Sequence, residues 1–507
     1  MPQIWDVAIV GGGPVGVFAA NLLAQSGLHV RVIERETAPY SLPRAVHVDH
    51  EMLRLFSGIG LLERLEPKMR AGDGHIHIGA DQGVIRFLSA AGKSRPFGYA
   101  NDYFFYQPEL ESILRTGLSR FKTVQLDLGI AVDSISQTHE AVTLGLDDGT
   151  ECSARWVIGC DGARSFVRKG LGVQLEDLKF EEPWLVVDAK VDGPIVFPTY
   201  KGLPDGTNLQ NLSLMRCDPK RPATIVPGRG NHRRWEFMLL PGENDTEMAE
   251  TARVAAMIKE WVGDSPHEII RAATYRFHGL VAEHWRIGRV FLAGDSAHQT
   301  PPFFGQGLCH GLRDAANLAW KLKLVTDGSA KEALLDTYQI ERDAQVRHVI
   351  GKAVEAGRYI CELDPEKAAV RDARIRSETG IKTAAELIAP LASKIVFNGA
   401  GERFINPPMA NDKLLDDITG GGWRLFATTL KAPTHPVLDV LSARPCLIAD
   451  HPDAEGHLAR WFAGHNATYA LVRPDHYVAL IAHDQNELMS LLDCLGKSAA
   501  LALPEPV

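Results

Sequence analysis

The chain lacks long apolar runs. Nothing in it approaches the roughly 18 uninterrupted apolar residues of a membrane helix, so no span is expected. It also lacks a cysteine framework. Seven cysteines are scattered over 507 residues with no C-x-x-C and no finger spacing, a pattern of reduced thiols expected in a cytoplasm. Basic runs are missing and the formal charge is −9, which argues against a nucleic-acid partner. No internal repeat or low-complexity tail is present. The N-terminus has no basic leader and carries Asp6, so it reads as a core strand rather than a signal peptide. His47-x-x-His50 with Glu51 suggests a metal site at first sight. However, Arg54 stands where H-E-x-x-H requires histidine, and no metal is expected. What remains is an ordinary globular composition, 45% apolar and 23% charged, long enough for two or three domains.

Two stretches far apart organise what is there. The first runs Val7-Ala8-Ile9-Val10-Gly11-Gly12-Gly13-Pro14-Val15-Gly16. Ile4 to Val10 has the apolar character of a strand buried in a parallel sheet. Gly11, Gly13 and Gly16 match G-x-G-x-x-G: a tight turn, a close backbone approach to a pyrophosphate, and close helix–strand packing. Pro14 suits the first turn of the helix, and Gly27 suits its end. The helix N-terminus would face the phosphates. A second strand, His29 to Ile33, delivers Glu34 at the spacing of a ribose-hydroxyl partner, followed by Arg35. The alternative is a glycine-rich strand–turn–helix without a ligand. The second stretch is Phe291-Leu292-Ala293-Gly294-Asp295-Ser296-Ala297-His298, with Pro301-Pro302-Phe303-Phe304-Gly305-Gln306-Gly307-Leu308 behind it. It reads as the seat for the far end of the same dinucleotide, with Leu308 to Leu324 as the helix that it opens.

The fold class expected is α/β. A Rossmann-like dinucleotide-binding domain occupies residues 1–182 and 277–360. An antiparallel-sheet substrate lid is inserted at 183–276, with residues 75–98 contributing to it. A helical connector at 361–400 leads to a C-terminal unit at 401–507. Strand-like pieces in the insert include Leu185 to Val191, Leu212 to Arg216, Thr224 to Val226 and Arg234 to Leu240.

Gly11-x-Gly13-x-x-Gly16, then Cys160-Asp161-Gly162, then Gly294-Asp295 with Pro301-Pro302 resembles the single-component flavoprotein aromatic hydroxylases, relatives of para-hydroxybenzoate and phenol hydroxylase. The likeness covers about residues 1–360. It extends toward the 3-(3-hydroxyphenyl)propionate hydroxylase branch at Pro43-Arg44-Ala45, Arg216-Cys217-Asp218-Pro219, Glu236-Phe237-Met238, Arg313-Asp314-Ala315 and Arg473-Pro474-Asp475. It implies bound FAD, reduction by NADH or NADPH, and reaction with O2 to a flavin hydroperoxide that oxygenates a phenolic ring. It also implies cofactor contacts by Arg44, Gln107, Asp161 and Asp295, a thioredoxin-like tail and homodimers. This tail lacks C-x-x-C, which leaves it a structural role. Gly305-Gln306-Gly307 would turn helix N–H groups toward the anionic end of reduced flavin. No second nucleotide motif is evident, as expected where nicotinamide visits transiently. His47 and His50 depart from the glycine and aspartate of that branch. His47 is the first candidate for the base that ionises the phenol and His50 the second; packing or capping is the alternative for both. Arg216 and Arg234 are candidates for a substrate carboxylate or for salt bridges. Arg164 and Arg168 stand between cofactor contact and structural ion pairs. Two other readings keep the fold: a tailoring or drug-inactivating monooxygenase for a larger polyketide- or rifamycin-like aromatic, and an uncoupled NAD(P)H oxidase.

Overall fold

A computed structural model describes residues 4–379, 385–410, 413–429, 433–453 and 455–503. Parts of the predicted connector (380–384) and tail (411–412, 430–432, 454 and 504–507), with residues 1–3, lie outside the described residues.

Ile4–Val10 runs through the middle of an eight-stranded sheet. Its parallel neighbours are Glu151–Gly159 and Val30–Glu34, and beyond these lie Val290–Leu292 and Val124–Leu128. Val7, Ala8 and Ile9 are fully buried, which is why this strand is apolar on both faces. The hairpin of Val132–Gln137 and Val142–Leu146 adds an antiparallel flank. Val10 pairs with Gly159 and Ile33, and Gly159 pairs with Leu292. The carboxyl ends of four strands therefore finish level, and Gly11, Glu34, Cys160-Asp161 and Gly294-Asp295 leave the sheet side by side. Ligands of open α/β sheets sit at such an edge.

A second eight-stranded sheet covers this edge. Its order is His298–Gln299, His267–Ala282, Leu175–Val191, His232–Met238, Ala223–Val226, Leu212–Arg216, Gly74–Ile78 and Val84–Ser89. The sheet overruns the expected 183–276 limits because Leu175–Val191 and His267–Ala282 pair along nearly their whole length, with bulges near Asp177 and Asp188. Alternation sorts its faces. Leu185, Val187, Trp235, Phe237, Leu214 and Ile76 pack outward under helix Thr251–Val262. Trp184, Met215 and Met238 point inward and join the core of the first body.

In the predicted connector the described residues form one helix, Pro365–Ser377, and little other regular structure. The C-terminal sheet is ordered Arg444–Leu447, Arg424–Ala427, Tyr469–Val472, Val478–Ala482, with the first pair parallel and the others antiparallel. Buried ion pairs dock it: Arg473 on Glu341 (2.8 Å) and Arg54 on Asp416 (2.6 Å). Among the described residues no helix is long and apolar enough to cross a membrane.

Candidate active site

The three glycines of the first motif are used in three ways. Gly11 has φ +105° and a Cβ on it would stand 2.4 Å from the Cys160 carbonyl oxygen. On Gly16 a Cβ would stand 2.0 Å from the Gly11 oxygen. On Gly13 it would meet no atom of the described residues within 4 Å. Gly13 is also the N-cap of helix Pro14–Gln25 and no side chain caps it, so the end is open to an anion. The residues fit a dinucleotide: the glycines that pack are closed and the one that would face phosphate is open. Glu34 is buried at the end of its strand, and its carboxylate accepts from the N–H of Gly12 (2.6 Å) and of Glu36 (2.8 Å). Arg35 is exposed and pairs with Glu36. Arg115 was not anticipated. Its Nε donates to the Gly12 carbonyl (3.1 Å), it pairs with Glu111, and its buried Nη1 has no hydrogen-bond partner among the described residues. The available signal was helical spacing, because Gln107, Glu111 and Arg115 share one face.

Gln107 accepts from the N–H groups of Arg44 (3.1 Å) and Ala45 (2.8 Å), and so holds the loop that presents the exposed Arg44 side chain. Asp161 caps the following helix, accepting from Ser165 Oγ and from Val167 N–H (3.0 Å). Arg168 donates to the carbonyls of Ser296 (3.0 Å) and Ala163 (2.9 Å), tying the two loops together; its role is structural. Arg164 is exposed. Gly294 (φ +64°) donates its N–H to Asp314 Oδ2 (3.0 Å) and packs against Val15. Asp295 stays accessible to solvent yet is closely surrounded by protein. Enclosure raises its carboxyl pKa, against the pull of His298 and Arg44. An accessible carboxylate at the sheet edge where Gly11 and Glu34 emerge suits a cofactor hydroxyl.

Pro302 starts the short turn Pro302–Phe304, Gly305 follows with φ +61°, and Gln306 caps helix Gly307–Thr326 without a side-chain cap bond. A Cβ on Gly307 would meet nothing within 4 Å, and Leu308 is half-buried beside it. This second open helix end fits the negative end of a reduced flavin.

His47 comes to this loop from strand His47–Asp49. Its Nε2 lies 2.8 Å from Asp102 Oδ1 and its Nδ1 lies 3.4 Å from the Gly305 carbonyl. A Cβ on Gly305 would stand 2.6 Å from Nδ1, so the glycine is required here. Burial disfavours the imidazolium, but the Asp102 hydrogen bond and charge, with Asp49, outweigh it and raise the His47 pKa. His75, from the lid, lies 3.7 Å from the same Asp102 oxygen. The three groups' ligand atoms lie within 4.8 Å of one another, close enough for a metal, but Asp102 already bonds His47. His50 does not join them. It sits against Phe97 (4.5 Å), neither ring nitrogen is hydrogen-bonded among the described residues, and burial lowers its pKa to about 4. A neutral, unpartnered imidazole is a weak candidate for the base.

Arg216 and Arg234 fall on opposite faces of the lid. Arg216 points outward to Glu260 (3.0 Å) and Asp218 (3.3 Å). Arg234 points inward but is committed: it donates to Asp188 (2.9 and 3.0 Å) and to the carbonyls of Pro43 (2.7 Å) and Arg44 (2.5 Å). Arg271 also donates to the Pro43 carbonyl. Glu236 shares the inner face with Arg234. It makes no hydrogen bond among the described residues, and Arg234 Nη1 is 3.8 Å away. Burial pushes its carboxyl up to about 7, with Arg234 pulling down and Asp188 pushing up.

A family model described as an FAD binding domain matches residues 5–353, and one described as the HcaD C-terminal domain matches 401–497. The chain is 34% identical to a protein named "Probable NADH-specific resorcinol 4-hydroxylase" from Rhodococcus jostii, over 96% of this chain and 93% of that one. It is 32% identical to a 3-(3-hydroxy-phenyl)propionate/3-hydroxycinnamic acid hydroxylase from Klebsiella pneumoniae subsp. pneumoniae, over 98% and 95%. The crystal structure of aklavinone-11 hydroxylase with FAD and aklavinone has the same fold, with a TM-score of 0.79 at 24% identity over 98% of this chain and 100% of that one. By these matches the chain belongs to the FAD-binding-domain family of flavin-dependent aromatic hydroxylases, and it is an FAD-dependent monooxygenase.

Proposed function

We propose that the substrate is a small uncharged phenol of the resorcinol type, hydroxylated with NADH and O2. The observation that carries this is the state of the inner-face arginines. Arg234 and Arg271 both spend donors on the backbone that holds Arg44, and Arg234 also pairs with buried Asp188. A substrate carboxylate at Arg234 would have to displace these bonds; Arg271 keeps one buried donor, Nε, without a partner among the described residues. The aromatic cluster of Trp184, Phe277 and Phe303, with centroids 5.8–6.3 Å apart, packs the lid against the turn that precedes Gly305, which suits a single-ring substrate. The similarity to the Rhodococcus jostii resorcinol 4-hydroxylase supports the same reading and suggests NADH.

Gly11, Gly13, Gly16, Glu34 and Arg115 would hold the adenosine and pyrophosphate side, Arg44, Gln107, Asp161, Gly294 and Asp295 the middle, and Pro302, Gly305, Gln306, Gly307 and Leu308 the ring. When bound, the flavin supplies the redox and oxygen-transfer chemistry. The protein supplies placement and a base. With Nε2–H donated to Asp102, His47 Nδ1 is the basic atom for the phenolic proton. Asp102 then stabilises the imidazolium, and the Gly305 carbonyl accepts from Nδ1–H. Arg35 is left outside this set. The C-terminal unit reads as thioredoxin-like, supported by its strand order and by helices Pro436–Val440, His457–Gly464 and Gln485–Ser498 between and after the strands. The division at 1–182, 183–276, 277–360, 361–400 and 401–507 and a homodimer complete the proposal; sedimentation of the holoenzyme checks the latter.

The test is oxidation of NADH and of NADPH by the purified flavoprotein, with resorcinol or with 3-(3-hydroxyphenyl)propionate, measuring hydroxylated product and peroxide together. Resorcinol should accelerate NADH oxidation with product matching reductant. Acceleration only by the carboxylated phenol overturns the substrate assignment. Peroxide equal to the NADH consumed under every condition makes the protein an uncoupled oxidase.

A further inference from the structure

The C-terminal unit reaches the flavin loop through a chain of buried polar groups. Tyr477 Oη donates to Glu51 Oε1 (3.3 Å), and Arg403 Nη1 donates to Glu51 Oε2 (3.0 Å). Both donors come from beyond residue 400, and Glu51 sits in the first turn of helix His50–Gly58. On its other side Glu51 accepts from Arg313 Nε (2.8 Å). Arg313 then donates Nη1 to Gln306 Oε1 (2.9 Å) and Nη2 to Asp49 Oδ2 (2.5 Å). Gln306 Nε2 closes the ring on Asp49 Oδ2 (3.1 Å). Gln306 and Asp49 are 0% exposed, Arg313 2% and Glu51 3%.

The charges balance only across the two units. Burial opposes ionisation of Glu51, but Arg313 and Arg403 outweigh it and hold its pKa below the usual value. Arg313 likewise holds Asp49 well below its usual range. Two carboxylates therefore face two guanidiniums, and one guanidinium belongs to the C-terminal unit. Burial and Glu51 push the Tyr477 hydroxyl up to about 12, so it remains a donor. Without Arg403 the cluster under the N-terminus of helix Gly307–Thr326 carries one uncompensated negative charge, and an unpaired buried charge is costly.

We propose that Arg403 and Tyr477 are positioning residues for the flavin: through Glu51 and Arg313 they hold Gln306 and keep the helix end beneath the ring electrically neutral. This rests on the reading of Gly305-Gln306-Gly307 as the flavin seat. It gives the C-terminal unit a part in the oxidative chemistry despite the missing C-x-x-C. The other buried bridges between the units, Arg54–Asp416 and Arg473–Glu341, anchor without touching Gln306.

The experiment compares holoenzymes of wild type, R403Q, Y477F and the anchoring control R54Q by FAD dissociation constant, flavin midpoint potential and melting temperature. R403Q should bind FAD about tenfold more weakly, the loss of roughly one charge-assisted bond. Its midpoint potential should fall, because the residual negative charge disfavours the anionic reduced flavin. Y477F should move both quantities in the same direction by less. R54Q should lower the melting temperature and leave the potential at the wild-type value. If R403Q does not fold, Y477F decides. Potentials and FAD affinities at wild-type values in the folded variants overturn the proposal while leaving the flavin seat intact. A wild-type protein that binds no FAD would instead remove the seat itself.

Discussion

Replacing Glu236 with glutamine removes a charge that the lid accommodates poorly. The carboxyl lies on the inner face of the sheet, 8% exposed, and burial raises its pKa from 4.5 to about 7 even with Arg234 nearby. At about 1.4 kcal/mol per pKa unit, this shift corresponds to a folding penalty of about 3 kcal/mol for the ionised form. The sign follows from proton binding. The folded protein holds the proton more tightly than the unfolded chain, so the contribution is fully present below the unfolded value and is lost as pH rises through the folded one. At pH 5, already just above the unfolded value, the wild type carries about a quarter of the penalty, and by pH 8 it carries nearly all of it. E236Q carries none at either pH. The holoenzyme's melting temperature, followed by circular dichroism between pH 5 and pH 8, should therefore fall more steeply for wild type than for E236Q. The gap at the alkaline end should be a few degrees, as roughly 3 kcal/mol gives in a large domain. Parallel curves, or an E236Q protein that is the less stable at pH 8, would refute the reasoning and imply that Glu236 is ionised and paired in the folded state.

The glycines separate folding from binding. G16A should lower the melting temperature of the flavin-free protein, because its Cβ falls 2.0 Å from the Gly11 oxygen, whereas G13A should leave it nearly unchanged while weakening FAD about tenfold. Titration of both apoproteins with FAD checks this, and a G13A protein with wild-type affinity would move the phosphate elsewhere. H47A should retain FAD and lose roughly 100-fold or more in coupled hydroxylation, the ordinary worth of a general base; wild-type coupling removes His47 from the mechanism. D102N should shift the acid limb of the rate profile to lower pH, since Asp102 raises the His47 pKa. The stabilisation from that pair is present below the ordinary histidine pKa and lost as pH rises through the raised one, so D102N should also flatten the stability profile there.

The strand–turn–helix proposed as the nucleotide seat was legible because its constraints are local. A strand, a turn that needs glycine and a helix that starts with proline follow one another within a few residues, and Glu34 is one strand further on. The same holds for the turns at Gly294-Asp295 and at Gly305 and Gly307. By contrast, His47 and His50 are three residues apart but lie on either side of the strand-to-helix junction at Asp49. One ring therefore turns to Asp102 and the other to Phe97. Arg216 and Arg234 both read as strand arginines, and only the pairing of the sheet put one outside and one inside. Arg115 could have been found by extending the helical face of Gln107. Asp102, His75 and Glu236 could not: Asp102 meets His47 through the pairing of strands His47–Asp49 and Asp102–Phe104, and His75 and Glu236 depend on the folding of the lid.

The sequence by itself determined the cofactor class, the α/β body and the order of its parts, since backbone conformation and apolar periodicity are written in neighbouring residues. Only the tertiary structure decided which charges are buried, which carboxylate pairs with which histidine, and that Arg403 and Glu51, 352 positions apart, meet next to Arg313 and Gln306. Electrostatics in a low-dielectric interior depends on distance in space, and distance along the chain does not determine it.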